Sequence, residues 1–137
     1  MIDDSKNIGA GIKNIQHIGI PTDDLDGSLA FYERLGFSSA MRKTFTHQGS
    51  TGEVLMVKHA SIVIELYNFN HEHRAIGGID HIAFNVTDIE ASFKKMKEQG
   101  FTIQEDAPVF LPFWENGCKF FNIVGPNNER LEFNQIL

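Results

Sequence analysis

His17-Ile18-Gly19-Ile20-Pro21-Thr22-Asp23-Asp24-Leu25 and His81-Ile82-Ala83-Phe84-Asn85-Val86-Thr87-Asp88-Ile89 are two copies of one pattern, and they decide how the rest of the chain is read. Counting from each histidine, an aspartate falls seven residues on and an apolar residue eight on. A serine follows at eleven (Ser28, Ser92) and a Gly-Phe pair at nineteen (Gly36-Phe37, Gly100-Phe101). A unit of roughly sixty residues is therefore written twice. Each copy ends in a carboxylate within an apolar run, Glu65 and Glu132, 48 and 51 residues after its histidine. Two histidines and two carboxylates at equivalent points of two copies are what a metal site on a pseudo-two-fold axis requires.

Each copy reads as strand, helix, then three strands. In the first, Ile15, Ile18 and Ile20 lead to the helix-start residues Thr22-Asp23-Asp24. Leu25, Leu29, Tyr32 and Leu35 then recur at helical spacing until Gly36 ends the run. In the second, Ile79, Ile82, Phe84 and Val86 precede Thr87, which with Glu90 forms a capping box, and Ile89, Phe93 and Met96 make the apolar stripe up to Gly100. Strand-rich segments follow each glycine. They are broken by Ser50-Thr51-Gly52 and Lys58-His59-Ala60-Ser61 in the first copy, and by Glu115-Asn116-Gly117 and Gly125-Pro126-Asn127-Asn128 in the second. The expected fold is α+β, two tandem βαβββ modules forming a concave sheet: a loosely held arm over residues 1–12, modules over 13–70 and 79–137, and a connector over 71–78.

Period-two alternation assigns the four polar candidates to faces. In Ile62-Val63-Ile64-Glu65-Leu66-Tyr67, the isoleucines and Leu66 point one way while Val63, Glu65 and Tyr67 point the other. His17 lies opposite Ile18, His81 opposite Ile82, and Glu132 opposite Leu131 and Phe133, so each occupies the face that its helix leaves uncovered. If first and last strands are neighbours, each module presents one His-Glu pair. Two such pairs supply two imidazoles and two carboxylates to a divalent ion, with positions left for water or substrate. A carboxylate in mid-run among apolar residues is costly to bury without a partner, which favours a ligand role for Glu65 and Glu132 over that of an edge charge.

Composition narrows the function classes. The formal charge of -6, with no basic face, argues against nucleic acid and against anionic membranes as partners. Lys94, Lys95 and Lys97 read as the wet side of a helix. The 42% hydrophobic content, with twelve phenylalanines, suits a real core. One cysteine, Cys118, excludes an intrachain disulfide and reads as a small buried hydrophobe. No signal-like or membrane-length run is present, so the expected setting is cytoplasmic. His47, His59, His71 and His73 read as ordinary surface or core residues, and Glu53 as solvent-facing.

On the His17, Glu65, His81 and Glu132 set and the doubled module, the chain resembles the glyoxalase I, bleomycin-resistance and extradiol-dioxygenase superfamily, the vicinal oxygen chelate superfamily, over residues 12–136. Four ligands look like the glyoxalase I (lactoylglutathione lyase) branch, because extradiol and fosfomycin-resistance branches use three and the methylmalonyl-CoA epimerase branch usually has glutamine where Glu65 stands. The resemblance implies a carbon-sulfur lyase or isomerase acting on a small molecule, the adduct of a 2-oxoaldehyde and a thiol, by enediolate proton transfer. Glu132 is the first choice of base and Glu65 the second. Nickel or zinc is the favoured cofactor, with cobalt, manganese or iron as other candidates. A homodimer is expected, and the resemblance allows the two modules around one metal to come from one chain or from two.

Departures bear on the thiol. Where the branch places a glutathione-binding arginine this chain has Pro21, Asn68 and Asn70 only approximate a second contact, and the loop Phe110-Leu111-Pro112-Phe113-Trp114 is uncharged. An aromatic or small substrate, or a thiol other than glutathione, suits that loop, with Arg42, Lys43 and Arg74 as candidates for an anion clamp. The alternatives are an extradiol dioxygenase, separable by a requirement for ferrous iron and oxygen, and a protein that sequesters a small molecule.

Overall fold

The structure, a computed structural model, describes residues 4–70, 75–126 and 128–137. His71, His73 and Arg74 therefore lie outside the described residues. By backbone contacts the chain forms two compact units: a central unit, His17–His81, and a terminal unit made of the segment ending at Gln16 together with Ile82–Leu137. These cuts fall inside the first and fifth strands rather than between the sequence copies.

Among the described residues, eight strands and two α-helices follow two short 3-10 turns, Asp4–Lys6 and Ile8–Gly11, in the order expected of two βαβββ modules. They are β1 (Ile12–Pro21), α1 (Leu25–Arg34), β2 (Ser38–His47), β3 (Ser50–His59), β4 (Ile62–Asn68), β5 (His81–Val86), α2 (Ile89–Glu98), β6 (Val109–Leu111), β7 (Cys118–Val124) and β8 (Arg130–Ile136). In the central unit the strands run β2-β3-β4-β1, and in the terminal unit β5-β8-β7-β6. The first strand of each module thus lies beside its last, the condition for pairing each histidine strand with a carboxylate strand.

The repeated motif produces the same local structure twice. Asp24 caps α1 by accepting from the Gly27 amide at 2.9 Å, and Asp88 caps α2 by accepting from the Ala91 amide at 3.1 Å. The capping box expected at Thr87 is corrected by one residue. The Asp88 side chain reaches the third residue beyond it, and that makes it the cap. Each helix then stops before a glycine of positive φ, Gly36 at 97° and Gly100 at 80°, a conformation that a side chain resists.

Beneath α1, Leu25 packs with Leu55, Val57 and Leu66, joined at the edge by Ile20, Leu29 and Tyr32. Leu35, expected to complete that stripe, is 59% exposed because the helix has ended one residue earlier. Beneath α2, Ile89 and Met96 pack with Val86, Phe121, Ile123 and Phe133. Phe121 stacks on Phe133 at 5.4 Å and meets Phe93 edge-on at 5.3 Å.

Three further expectations change. The Ser50-Thr51-Gly52 break lies inside β3, paired with Thr46, Phe45 and their neighbours, and the chain reverses at Gln48-Gly49 instead. Ile79 is exposed and precedes β5. From Lys6 onward the arm is held: Ile8 and Ile12 pack against the terminal core, the Thr87 amide donates to Gly11 O at 2.9 Å, and Gln99 Nε2 donates to Lys6 O at 2.7 Å. Apolar residues inside a polar-looking segment found a surface to cover.

Candidate metal centre

The parallel pairing of β1 with β4 sets Ile18 beside Ile64, Gly19 beside Glu65 and Ile20 beside Leu66. Ile20, Ile64 and Leu66 face the helix-side core, so alternation turns His17 and Glu65 together to the other face. His81 opens β5 at the far end of the central unit's sequence. In the central unit the three side chains converge. His17 Nε2 lies 3.2 Å from His81 Nε2 and 3.6 Å from Glu65 Oε2, and His81 Nε2 lies 3.3 Å from Glu65 Oε1. The rings meet edge-on with centroids 5.3 Å apart. All three are nearly sealed from solvent, at 1%, 4% and 9% exposure for His17, His81 and Glu65.

These separations carry chemical information. Donors bound to one ion at about 2.0–2.2 Å stand roughly 3 Å from their neighbours, so gaps of 3.2, 3.3 and 3.6 Å suit a shared cation. The protonation pattern points the same way. His81 Nδ1 lies 2.8 Å from Asp80 Oδ2. A carboxylate only accepts, so a neutral ring that donates from Nδ1 to Asp80 would offer its Nε2 lone pair to a cation held between Glu65 and His17. A carboxylate behind an imidazole is also the support typical of metal-binding histidines, fixing both tautomer and ring direction.

Two residues in this arrangement escaped the sequence reading. The signal for Asp80 is that of a carboxylate adjacent to a candidate ligand, His81. Gly19 has no sequence signal of its own. A β-carbon there would run into the His81 imidazole at three ring atoms, so only glycine leaves the ring its place beside Glu65. Tyr67, two residues beyond Glu65 on the same face, packs its ring 5.9 Å from that of His81.

Glu132 belongs to the terminal unit, on β8 directly across from Asn122 of β7, and is 8% exposed. Asn134 Nδ2 donates to its Oε2 at 2.9 Å. The other candidates sort as ordinary residues. His59 Nδ1 meets Gly36 O at 3.1 Å on the surface, and the His47 ring lies against Phe69. Arg42, a candidate anion clamp, is engaged by Asp26 Oδ1 at 2.6 Å and Glu53 Oε2 at 3.3 Å. The hydrogen bond to Asp26, then that to Glu53, holds its guanidinium further above its already high pKa. Cys118 is buried as a thiol, outside any disulfide. In the uncharged loop, Phe110 is exposed and Leu111 and Phe113 are buried.

Residues 14–109 match the Glyoxalase/Bleomycin resistance protein/Dioxygenase superfamily. The chain belongs to that superfamily. The uncharacterized Bacillus subtilis (strain 168) protein YwbC is 30% identical over 127 residues, spanning 90% of this chain and 98% of that protein. Methylmalonyl-CoA epimerase from Mycobacterium tuberculosis has a TM-score of 0.72 at 20% identity, covering 100% of this chain and 93% of its own. The Mn(II)-bound glyoxalase from Novosphingobium aromaticivorans has a TM-score of 0.57 at 17% identity, covering 91% of this chain and 39% of its own. At such identities the likeness is one of fold. Enzymes of different reactions share it, so the superfamily is established while the reaction has to be argued from side chains. No described helix is long and apolar enough to cross a membrane.

Proposed function

We propose that this superfamily member is a metal-dependent lyase or isomerase of the glyoxalase I type, with His17, Glu65, His81 and Glu132 as the donors to one divalent ion. The observation that carries the reading is the convergence of His17, Glu65 and His81 within 3.6 Å, with Asp80 Oδ2 2.8 Å behind the His81 ring at Nδ1. Glu132, buried like the histidines and equivalent to Glu65 in the repeat, is proposed as the fourth donor. Nickel and zinc remain the favoured ions.

The bound ion would polarise the substrate oxygens and stabilise an enediolate. Glu132 acts as the base. Its carboxylate takes the proton from the carbon bearing the hydroxyl and the sulfur of a thiohemiacetal. It then returns a proton to the adjacent former carbonyl carbon, which leaves a 2-hydroxyacyl thioester. The histidines hold position, and the near-complete burial of His17 and His81 keeps competing water away. A small uncharged or aromatic adduct suits the Phe110 to Trp114 loop. Homodimerisation and a cytoplasmic setting belong to the same proposal, the former checked by light scattering.

Metal-loaded protein assayed with methylglyoxal against a panel of thiols, with thioester followed by absorbance, tests the reaction. Glu132→Gln is expected to retain much of the metal at loading concentrations and to lose most turnover, about 100-fold or more, because the amide oxygen coordinates but takes no proton. Full activity in that variant would move the base to Glu65. A second reading has its own support: two histidines and one carboxylate in the central unit resemble the facial triad of ferrous oxygenases. Oxygen consumption that depends on Fe(II), without thioester formation, would select it.

A further inference from the structure

Behind Glu132 in the terminal unit runs a chain of amides that no catalytic role yet uses. Gln16 Nε2 donates to Asn85 Oδ1 at 2.7 Å and to Asn134 Oδ1 at 3.0 Å. Asn85 Nδ2 donates in turn to Asn14 Oδ1 at 2.8 Å. Asn134 Nδ2 donates to Glu132 Oε2 at 2.9 Å and approaches Cys118 Sγ at 3.8 Å. Gln16, Asn134 and Glu132 are buried, at 5%, 3% and 8% exposure.

The direction of these bonds is what distinguishes the chain from a merely satisfied polar core. Gln16 spends its amide hydrogens on two carbonyl oxygens. Because Asn134 Oδ1 receives one of them, the Asn134 amide is held with its NH2 end toward the carboxylate. A free asparagine flips with little penalty, whereas this one would then oppose oxygen to oxygen at Glu132 and NH2 to NH2 at Gln16. Asn134 thus holds the Glu132 carboxylate by Oε2 from a fixed direction.

We infer that Asn134 and Gln16 are positioning residues for Glu132: Asn134 clamps one carboxylate oxygen, Gln16 locks the clamp, and the pair sets the direction in which the carboxylate meets the ion or the substrate. The inference rests on the reading of Glu132 as a donor to the metal. Support of this kind typically changes metal affinity about 10- to 100-fold when removed.

The test uses the full chain titrated with Co(II), read by d–d absorption and by affinity, with melting temperature as a folding control. Asn134→Leu and Asn134→Asp, both close to isosteric, are expected to weaken Co(II) binding about 10- to 100-fold and to alter the absorption band, and Gln16→Met to weaken it by less. In a Glu132→Gln background, adding Asn134→Leu is expected to change affinity less than about twofold, since residues acting through one group are not additive. Should Asn134→Leu fail to fold, Gln16→Met and Asn134→Asp decide the matter. Wild-type affinity and spectrum in the folded variants, or full additivity with Glu132→Gln, overturns the positioning role alone. A wild-type chain that takes up no Co(II) overturns the metal reading itself.

Discussion

Asp80 and Gln16 occupy the same place in the two modules, one residue before the histidine, and they serve different partners. Asp80 turns back onto its own neighbour and fixes the His81 ring at 2.8 Å. Gln16 reaches away from His17, to Asn134 and through it to Glu132. The residues two beyond the carboxylates diverge likewise. Tyr67 lays its ring against His81, whereas Asn134 donates to Glu132 itself. Gly19, which clears space for the His81 imidazole, corresponds to Ala83, which is fully buried. The repeat keeps the candidate donors and their faces while their supports differ: one module sets an imidazole, the other a carboxylate.

The largest effect should come from the donors in the central unit. His17→Ala, His81→Ala and Glu65→Ala are each expected to abolish stoichiometric divalent metal, measured by elemental analysis after dialysis. Retention of a full equivalent in any one of them would remove that residue from the set.

Gly19→Ala comes next. Its added methyl group overlaps the His81 ring, so metal should be largely lost and stability should fall by about 1–3 kcal/mol in denaturant titrations. Ala83→Gly at the corresponding point displaces nothing, and metal content should stay whole. Equal loss in both variants would erase the asymmetry.

Asp80→Ala should follow, with a metal affinity about 10- to 100-fold weaker in a folded protein, because His81 keeps its place but loses its fixed tautomer. Unchanged affinity would reduce the Asp80 contact to surface chemistry.

The smallest effects belong to features both modules share. Asp24→Ala and Asp88→Ala should each destabilise by about 1 kcal/mol without touching metal content, as read from chemical denaturation. A much larger penalty at Asp88 would show that α2, which buries Ile89, Ser92 and Met96 where α1 buries only Leu25, anchors its module more than its cap suggests.

Much of the fold and the candidate donors could be read without coordinates. A period-two strand pattern places His17, Glu65, His81 and Glu132 by local geometry alone, because alternation does not depend on what the strand meets. Helix starts were legible to within a residue for the same reason, and the slip from Thr87 to Asp88 reflects how little separates two adjacent capping side chains. The turn at Gln48-Gly49 was missed because Ser50-Thr51-Gly52 carries equal turn chemistry, and only the pairing of β2 with β3 chooses between them.

The supports were decided by tertiary structure. Nothing in the sequence brings Gly19 against the ring of His81, 62 residues away, or aims Gln16 at Asn134, 118 residues on. Those contacts depend on cross-strand register, which is settled by the packing of whole modules rather than by any local preference. The sequence by itself determined the repeat, the faces and the kind of donors. Register then determined which donor atoms stand within 3.6 Å of one another and which amide holds each carboxylate, because hydrogen bonds and ligand sets are selected at the scale of tenths of an ångström that only a packed sheet defines.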